Sequence, residues 1–143
     1  MNIYFIVIIG VILFEYALSF VVRTLNIRSL DPNLPEEFSD TFDKEKYKKS
    51  QLYAKTNSSF DGISTTFSLV LSLVFILSGF YNTIDIYARS FGLNEIFTGL
   101  CFFGLLTIVS DILALPFSLY RTFVIEQKYG FNTTTKATFF ADK

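Results

Sequence analysis

The 143-residue sequence contains no histidine and no tryptophan, and its single cysteine is Cys101. One cysteine cannot form an internal disulfide, so cysteine usage does not identify the compartment. Without histidine, and with only ordinary serines and threonines as hydroxyl groups, the chain offers no complete set of residues for a metal-dependent or nucleophilic hydrolysis. The sequence therefore argues against catalysis by this chain alone.

Charged residues are also scarce, at 17%, whereas hydrophobic residues make up 51%. The apolar residues form three long blocks, each long enough to cross roughly 30 Å of hydrocarbon. The predicted spans are about residues 3–22, 63–84 and 96–119. The first is a retained span rather than a cleaved signal, because no basic residue precedes it and no small-residue cleavage site follows. An all-α membrane protein with three transmembrane helices is predicted, with the lipid bilayer as partner and no nucleic acid.

Lysine and arginine are unevenly distributed between the connecting segments, and this distribution predicts the orientation. Seven lie between the first and second spans and four follow the third, but only Arg89 lies between the second and third. The amino terminus is therefore predicted to lie outside and the tail inside. Residues 1–143 then form a single membrane domain with an inner loop (23–62) and an inner tail (120–143).

The inner loop is predicted to contain a cytoplasmic surface helix from Glu36 to about Thr56. Acidic residues occupy its first turn and lysines dominate later, as the helix dipole favours. The lysines could instead form a patch for anionic lipids, but the interleaved acids make that interpretation weaker.

The tail is predicted to contain a short helical region. Pro116 predicts a kink near the inner end of the third span, after which the helix resumes and runs to Tyr129. Gly130 suits the left-handed position after a helix end, and Asn132 is predicted to cap a further short helix.

Two acids, Glu15 and Asp111, lie inside predicted spans. They are seven and eight residues from the inner ends of their spans, so both are expected roughly 10 to 12 Å from the inner boundary. Acids at such depth usually face protein or water, which predicts that both carboxylates share one hydrated cavity. Thr107 and Ser118 continue the face of Asp111 and are the further candidates for its lining. Ser64, Ser68 and Ser72 form a similar stripe in the second span.

Three other interpretations of these polar residues stay open. The acids can simply pair with an arginine, and the serine stripe is more typical of a helix-packing seam. A proton or cation pathway is the weakest alternative, because three spans rarely close a pore without oligomerising.

The segment Leu115–Asp142 resembles the one that leaves the third membrane helix in the type I CAAX prenyl proteases, which are integral-membrane zinc metalloendopeptidases. The matching parts are an L-P-F-S-x-Y turn, a T-F-V-I-E-x-K/R run, a G-F-N triplet and a trailing F-x-x-D. The positions that carry the resemblance are Pro116, Tyr120, Arg121, Glu126, Gly130, Phe131 and Asn132.

This resemblance implies that the chain is the amino-terminal, non-catalytic part of such a protease and forms part of the wall of its intramembrane chamber. The zinc-binding H-E-x-x-H helix of the family is missing, so zinc is expected only in the completed enzyme, and this chain is expected to be inactive alone. The implied partners are the carboxyl-terminal catalytic portion and a peptide substrate. For Arg121 and Glu126, a solvated surface role is favoured slightly over substrate contact.

A stand-alone membrane scaffold, or a partner protein without enzymatic activity, is the alternative function. The abundance of Ile, Asn, Lys, Phe and Tyr is typical of an AT-rich genome and favours a bacterial inner membrane, with the endoplasmic reticulum as the eukaryotic equivalent. The sequence does not identify the substrate or decide whether it is prenylated.

Overall fold

The computed structural model describes residues 2–38 and 40–142, and no strand occurs within these ranges. Three continuous helical stretches, Ile3–Ser29, Lys44–Leu77 and Glu95–Tyr129, are long and apolar enough to cross a membrane. This confirms the predicted all-α membrane fold. The elements are α1 (Ile3–Ser29), a 3₁₀ turn (Glu36–Phe38), α2 (Lys44–Leu77), α3 (Phe80–Arg89), α4 (Glu95–Tyr120), a π-helical segment (Arg121–Glu126), α5 (Gln127–Tyr129) and α6 (Lys136–Ala141).

Each of the three long helices begins at an Asn or Asp whose side chain accepts a hydrogen bond from a free backbone N–H of the first turn. Asn2 accepts from Tyr4 N at 3.2 Å, and Asn94 accepts from Phe97 N at 3.0 Å. Asp43 accepts from two amides at the start of α2. These caps satisfy donors that have no partner within the helix, so they fix where each helix begins.

Helix α2 differs from the prediction at both ends. The predicted loop helix and the inner part of the second span form one helix of 34 residues, about 51 Å long. It begins at Lys44 rather than Glu36, because Asp43 provides the cap. It ends at Leu77, since Gly79 has a φ of 73°, and only glycine adopts this left-handed conformation at no steric cost. The predicted span 63–84 is thus divided between α2 and α3.

The tail agrees with the prediction where the long helix ends, and it differs where the last short helix begins. The helix ends at Tyr129, and Gly130 has a φ of 67°, as predicted. Phe131 N donates to Glu126 O at 2.9 Å and Gly130 N to Gln127 O at 3.1 Å, which is the Schellman arrangement.

The cap of the last helix was predicted at Asn132, and this is wrong. Thr135 caps α6 by accepting from Thr138 N at 3.2 Å. The side-chain oxygen Oδ1 of Asn132 instead accepts from Thr134 N at 2.7 Å. Asparagine commonly bonds the backbone two residues on, and this local turn delays the helix.

Helix α2 is the centre of the fold: α1, α3 and the π-helical segment pack against it, and α4 contacts it through aromatic side chains. Tyr16 on α1 shares a hydrogen bond of 2.8 Å with Thr66 on α2. The rings of Phe67 on α2 and Phe117 on α4 are 4.9 Å apart. Aromatic pairs between Phe60 and the carboxyl-terminal end of α4 extend the contact between α2 and α4.

The helices bury little of their own surface. Within the described ranges, the buried residues are Ile84, Ala88, Thr98 and Ile125. The accessible surface is 10517 Å² for a chain of 16.4 kDa, whereas a globular monomer of this mass exposes about 7,500 Å². The excess, much of it apolar, is surface that lipid or further protein has to cover.

Candidate functional site

Glu15 is exposed and lines an open cavity between α1 and α2 with a volume of about 270 Å³. Most of the residues that line it are polar, although it lies within the predicted spans. In the part of the chain that the structure describes, the Glu15 carboxylate has no hydrogen-bond or ion-pair partner. A cavity of this kind suits water or a cationic group. The polar lining residues are Glu15, Tyr16, Ser19, Thr65, Ser68 and Ser72.

A second cavity, of about 250 Å³, lies on the other side of α2, towards α3 and α4. Ser64, Ser68 and Ser72 line it from α2, and Ser110 and Ala114 line it from α4. Ser68 and Ser72 therefore border both cavities, and the serine stripe separates them. Small side chains here keep the wall between the cavities thin.

Asp111 lies about a quarter turn around α4 from the face that contacts α2, given about 100° per residue. Asp111 is exposed, and its carboxylate has no hydrogen-bond or ion-pair partner among residues 2–38 and 40–142. Thr107 and Ser118 lie on the same side, and their hydroxyls donate to carbonyls of α4 at 2.9 and 3.3 Å. Glu15 and Asp111 line no common cavity in this described part, so their meeting in one hydrated space stays a prediction.

The middle of α2 and the carboxyl-terminal end of α4 are joined by an ion pair that the sequence did not indicate. The Arg121 guanidinium donates to the Asp61 carboxylate, and the two side chains are 38% and 39% exposed. The same guanidinium lies 5.9 Å from the ring centre of Phe60. Arg121 was expected to be solvated, whereas it links two helices. Asp61 was overlooked, although it is the last charge before the second apolar block.

A set of contacts that we call the tail clamp holds the turn after α5 on the amino-terminal half of α2. The clamp consists of Lys49, Tyr53 and Thr56 on α2 with Tyr129 and Phe131 from the tail. The ring of Tyr53 is 4.7 Å from that of Phe131 and 5.6 Å from that of Tyr129. Thr56 Oγ1 and the Tyr129 hydroxyl are 2.7 Å apart, and Lys49 Nζ lies 5.5 Å from the Phe131 ring centre.

The remaining motif positions shape this turn from within. Glu126 contributes its backbone carbonyl to the Schellman turn, and Asn132 Nδ2 donates to Gln127 Oε1 at 2.9 Å. Pro116 lies inside α4, and the π-helical segment starts five residues later. π-Helical turns are frequent at functional sites. This one directs Ile125 into the packed interior, where it is 3% exposed.

The described residues do not fit a zinc site. No group of three or more His, Cys, Asp or Glu side chains within those ranges is close enough to hold a metal ion. The sequence has no histidine, and structural and catalytic zinc sites are built mainly from histidine and cysteine.

The fold and the cavities define a helical integral-membrane protein with polar groups between its spans. A family profile described as "CAAX prenyl protease N-terminal, five membrane helices" matches residues 23–143. The chain belongs to this family, and the resemblance found in the sequence is confirmed. The family description counts five membrane helices, whereas the described part of this chain contains three candidate spans.

Curated relatives from three distant organisms agree with the family assignment. A probable CAAX prenyl protease 1 of Schizosaccharomyces pombe is 36% identical in an alignment 151 positions long, which covers 96% of this chain and 32% of that protein. A CAAX prenyl protease 1 homolog of Dictyostelium discoideum is 31% identical over 98% of this chain and 34% of its own length. The human CAAX prenyl protease 1 homolog is 33% identical over 84% of this chain and 27% of its own length.

The fold is similar to that in the crystal structure of S. mikatae Ste24p. The TM-score is 0.86 and the sequence identity 27%, covering 99% of this chain and 35% of that one. The chain thus spans about a third of the length of the proteins it matches. It corresponds to the amino-terminal region of a membrane protease family.

Proposed function

We propose that this chain forms part of the wall of the intramembrane chamber of a CAAX prenyl-type zinc metalloendopeptidase and supplies no catalytic residue. The carrying observation is the Glu15 cavity, in which an unpartnered carboxylate and five hydroxyl-bearing side chains line a space inside predicted spans. A carboxylate in hydrocarbon costs a few kcal/mol or more, so water in this space is the favoured environment. Zinc and the residues that bind it belong to the portion beyond this chain.

The chamber-lining set includes residues from α4 as well. Asp111, Thr107 and Ser118 line an adjoining part of the chamber, on the side of α4 that α2 leaves uncovered. The open surface of the three helices supports this proposal, because 10517 Å² is far more than a self-contained chain of this size exposes. The remaining two thirds of the protein would cover much of it.

The named relatives also suggest a substrate and a location. A peptide ending in a prenylated CAAX sequence is the substrate class, since these relatives are CAAX prenyl proteases. All three come from eukaryotes, so the endoplasmic reticulum is proposed and the bacterial inner membrane finds no support. The distribution of lysine and arginine supports an amino terminus outside the cytosol and a tail within it.

The chamber wall is tested by thiol accessibility in the full-length protein carrying Cys101→Ser. Glu15→Cys and Ser72→Cys should react with a charged, membrane-impermeant thiol reagent at least about tenfold faster than Phe14→Cys, because only a hydrated thiol forms thiolate. Phe14 is the matched control, being adjacent in sequence and 69% exposed on the apolar side. Equal, slow labelling at all three positions would contradict a wet chamber at Glu15.

The protease assignment has its own test. The open reading frame that follows residue 143 is sequenced for H-E-x-x-H, and the full-length protein is assayed on a prenylated peptide with and without a zinc chelator. Chelator-sensitive cleavage is expected. A frame without the zinc motif, or a full-length protein with no cleavage, would favour the alternative of a membrane scaffold.

A further inference from the structure

A groove between α1 and α2 lies apart from the Glu15 cavity and has a volume of about 460 Å³. The walls along the groove are apolar and are formed by Phe20 on α1 and by Ile63, Phe67 and Val70 on α2. Phe20, Ile63 and Val70 are 53%, 63% and 54% exposed. One end is polar and carries Arg23 and Ser59, whereas Thr66 lies partway along the groove beside Phe67. The groove therefore has the chemistry of a molecule with a polar head and an apolar tail.

Arg23 carries an uncompensated positive charge at this polar end. Among the described residues its guanidinium has no acidic partner, in contrast to Arg121, which pairs with Asp61. The guanidinium lies directly against Gly62, where an added Cβ would be 2.9 Å from Arg23 Nη1. Glycine at this position leaves the space that the guanidinium occupies. Lys55 lies one turn before Ser59 on the same face of α2 and adds a second cation.

The depth of the groove matches its chemistry. Arg23 directly follows the predicted first span and Ile63 begins the predicted second, so the polar end lies at the membrane boundary. Phe67 and Val70 are four and seven residues further along α2, which is about 6 and 10 Å deeper. A basic group at headgroup level above an apolar groove is the arrangement that attracts anionic lipid.

We propose that this groove binds one anionic glycerophospholipid of the leaflet into which Arg23 projects. The lipid phosphate pairs with Arg23, with Lys55 nearby, and one acyl chain lies along Phe20, Phe67 and Val70. A helix from the rest of the protein would also cover apolar surface, but it would have to supply an acid at the membrane boundary. The bilayer already provides such an anion at this depth. The inference does not depend on the protease assignment.

The test uses full-length protein in phosphatidylcholine vesicles that contain phosphatidylserine with a photoreactive acyl chain. Crosslinks are expected on peptides that contain Phe20 or Phe67, and Arg23→Gln should lower their yield about fivefold, the effect of one basic group near a membrane surface. Arg28→Gln is the matched control, since Arg28 is exposed on the same helix but does not line the groove. Arg23→Lys should retain most of the yield.

A second variant keeps the test informative if Arg23→Gln misfolds. Val70→Trp fills the apolar arm without touching the charge, and it should also lower the crosslinking yield, while circular dichroism confirms unchanged helix content. The proposal is overturned if Arg23→Gln crosslinks like the unmodified protein. It is equally overturned if a phosphatidylcholine probe labels the groove as well as the phosphatidylserine probe does. Absence of any crosslink in the groove would show that protein covers it.

Discussion

The ion pair between Arg121 and Asp61 should measurably stabilise the packing of α4 on α2. Exposed ion pairs contribute about 0.2–1 kcal/mol, and hydrogen bonds to charged groups about 1.5–3 kcal/mol. Both side chains are somewhat more than a third exposed, so solvent screening brings the expected coupling to about 1 kcal/mol. Arg121 also contacts Phe60 at 5.9 Å, near the limit of a cation–π interaction, which adds about 0.5 kcal/mol.

A double-mutant cycle separates these contributions. Asp61→Asn, Arg121→Gln and the double variant are unfolded by titrating sodium dodecyl sulfate into detergent micelles, and helix content is followed by circular dichroism. Asp61→Asn should cost about 1 kcal/mol of unfolding free energy and Arg121→Gln about 1.5 kcal/mol. The double variant should be no less stable than Arg121→Gln, because the pair is lost only once.

The control is the exposed pair of Asp85 and Arg89 on α3. Its N–O distance is 2.8 Å at a spacing of four residues, and Arg89 is 66% exposed. The hydrogen bond and charge of Asp85 raise the pKa of Arg89, but an exposed pair at this spacing should couple only weakly. Coupling between Arg121 and Asp61 that is no larger than in this control, or that is unchanged in 1 M salt, would refute the reasoning.

The same unfolding assay tests three further contacts. Gly130→Ala should lose about 1–2 kcal/mol of unfolding free energy, because alanine is strained at a φ of 67°. The control is Gly10→Ala, which should be neutral or stabilising, since no atom lies within 4 Å of its added Cβ. Equal losses in the two variants would contradict this. Thr56→Val should lose about 1 kcal/mol of unfolding free energy, because its hydrogen bond to Tyr129 is lost. A Thr56→Val/Tyr129→Phe double variant that is less stable than Thr56→Val would show that the two hydroxyls act separately. Tyr16→Phe should lose only about 0.6 kcal/mol, the average for a hydrogen bond between membrane helices, and a loss above 2 kcal/mol would show that this value does not apply.

The membrane fold could be predicted from the sequence because long apolar runs signal spans directly. The helix boundaries were harder to predict. The apolar residues continue past Gly79 to Ile84, so composition alone did not reveal that α2 ends at Leu77. No proline interrupts residues 44–77, which is why the predicted loop helix and the second span are one rod. Gly130 was predicted correctly because a glycine after a helix is a local signal.

The candidate site was less predictable because its contacts join distant residues. Asp61 and Arg121 are 60 residues apart, and no local sequence pattern connects them. The tail clamp likewise joins Thr56 to Tyr129 across 73 residues. Periodicity correctly grouped Ser68 and Ser72 on one face of α2. It could not show that this face borders two cavities, since that depends on where α1 and α4 pack.

The position of α2 between the two cavities leads to a last prediction about chamber hydration. Ser72 borders both cavities, Leu69 borders only the one with Glu15, and Leu71 borders only the one towards α4. If both cavities open into one hydrated chamber, Ser72→Leu should slow labelling of cysteines placed at Glu15 and at Ser110 alike. Leu69→Phe should slow only the first cysteine and Leu71→Phe only the second. The two Leu→Phe changes are chemically the same and differ only in position, so a general loss of packing would slow labelling of both cysteines in both of these variants. That uniform result, or no effect of Ser72→Leu at either cysteine, would show that the serine face of α2 is a sealed packing seam and not a chamber wall.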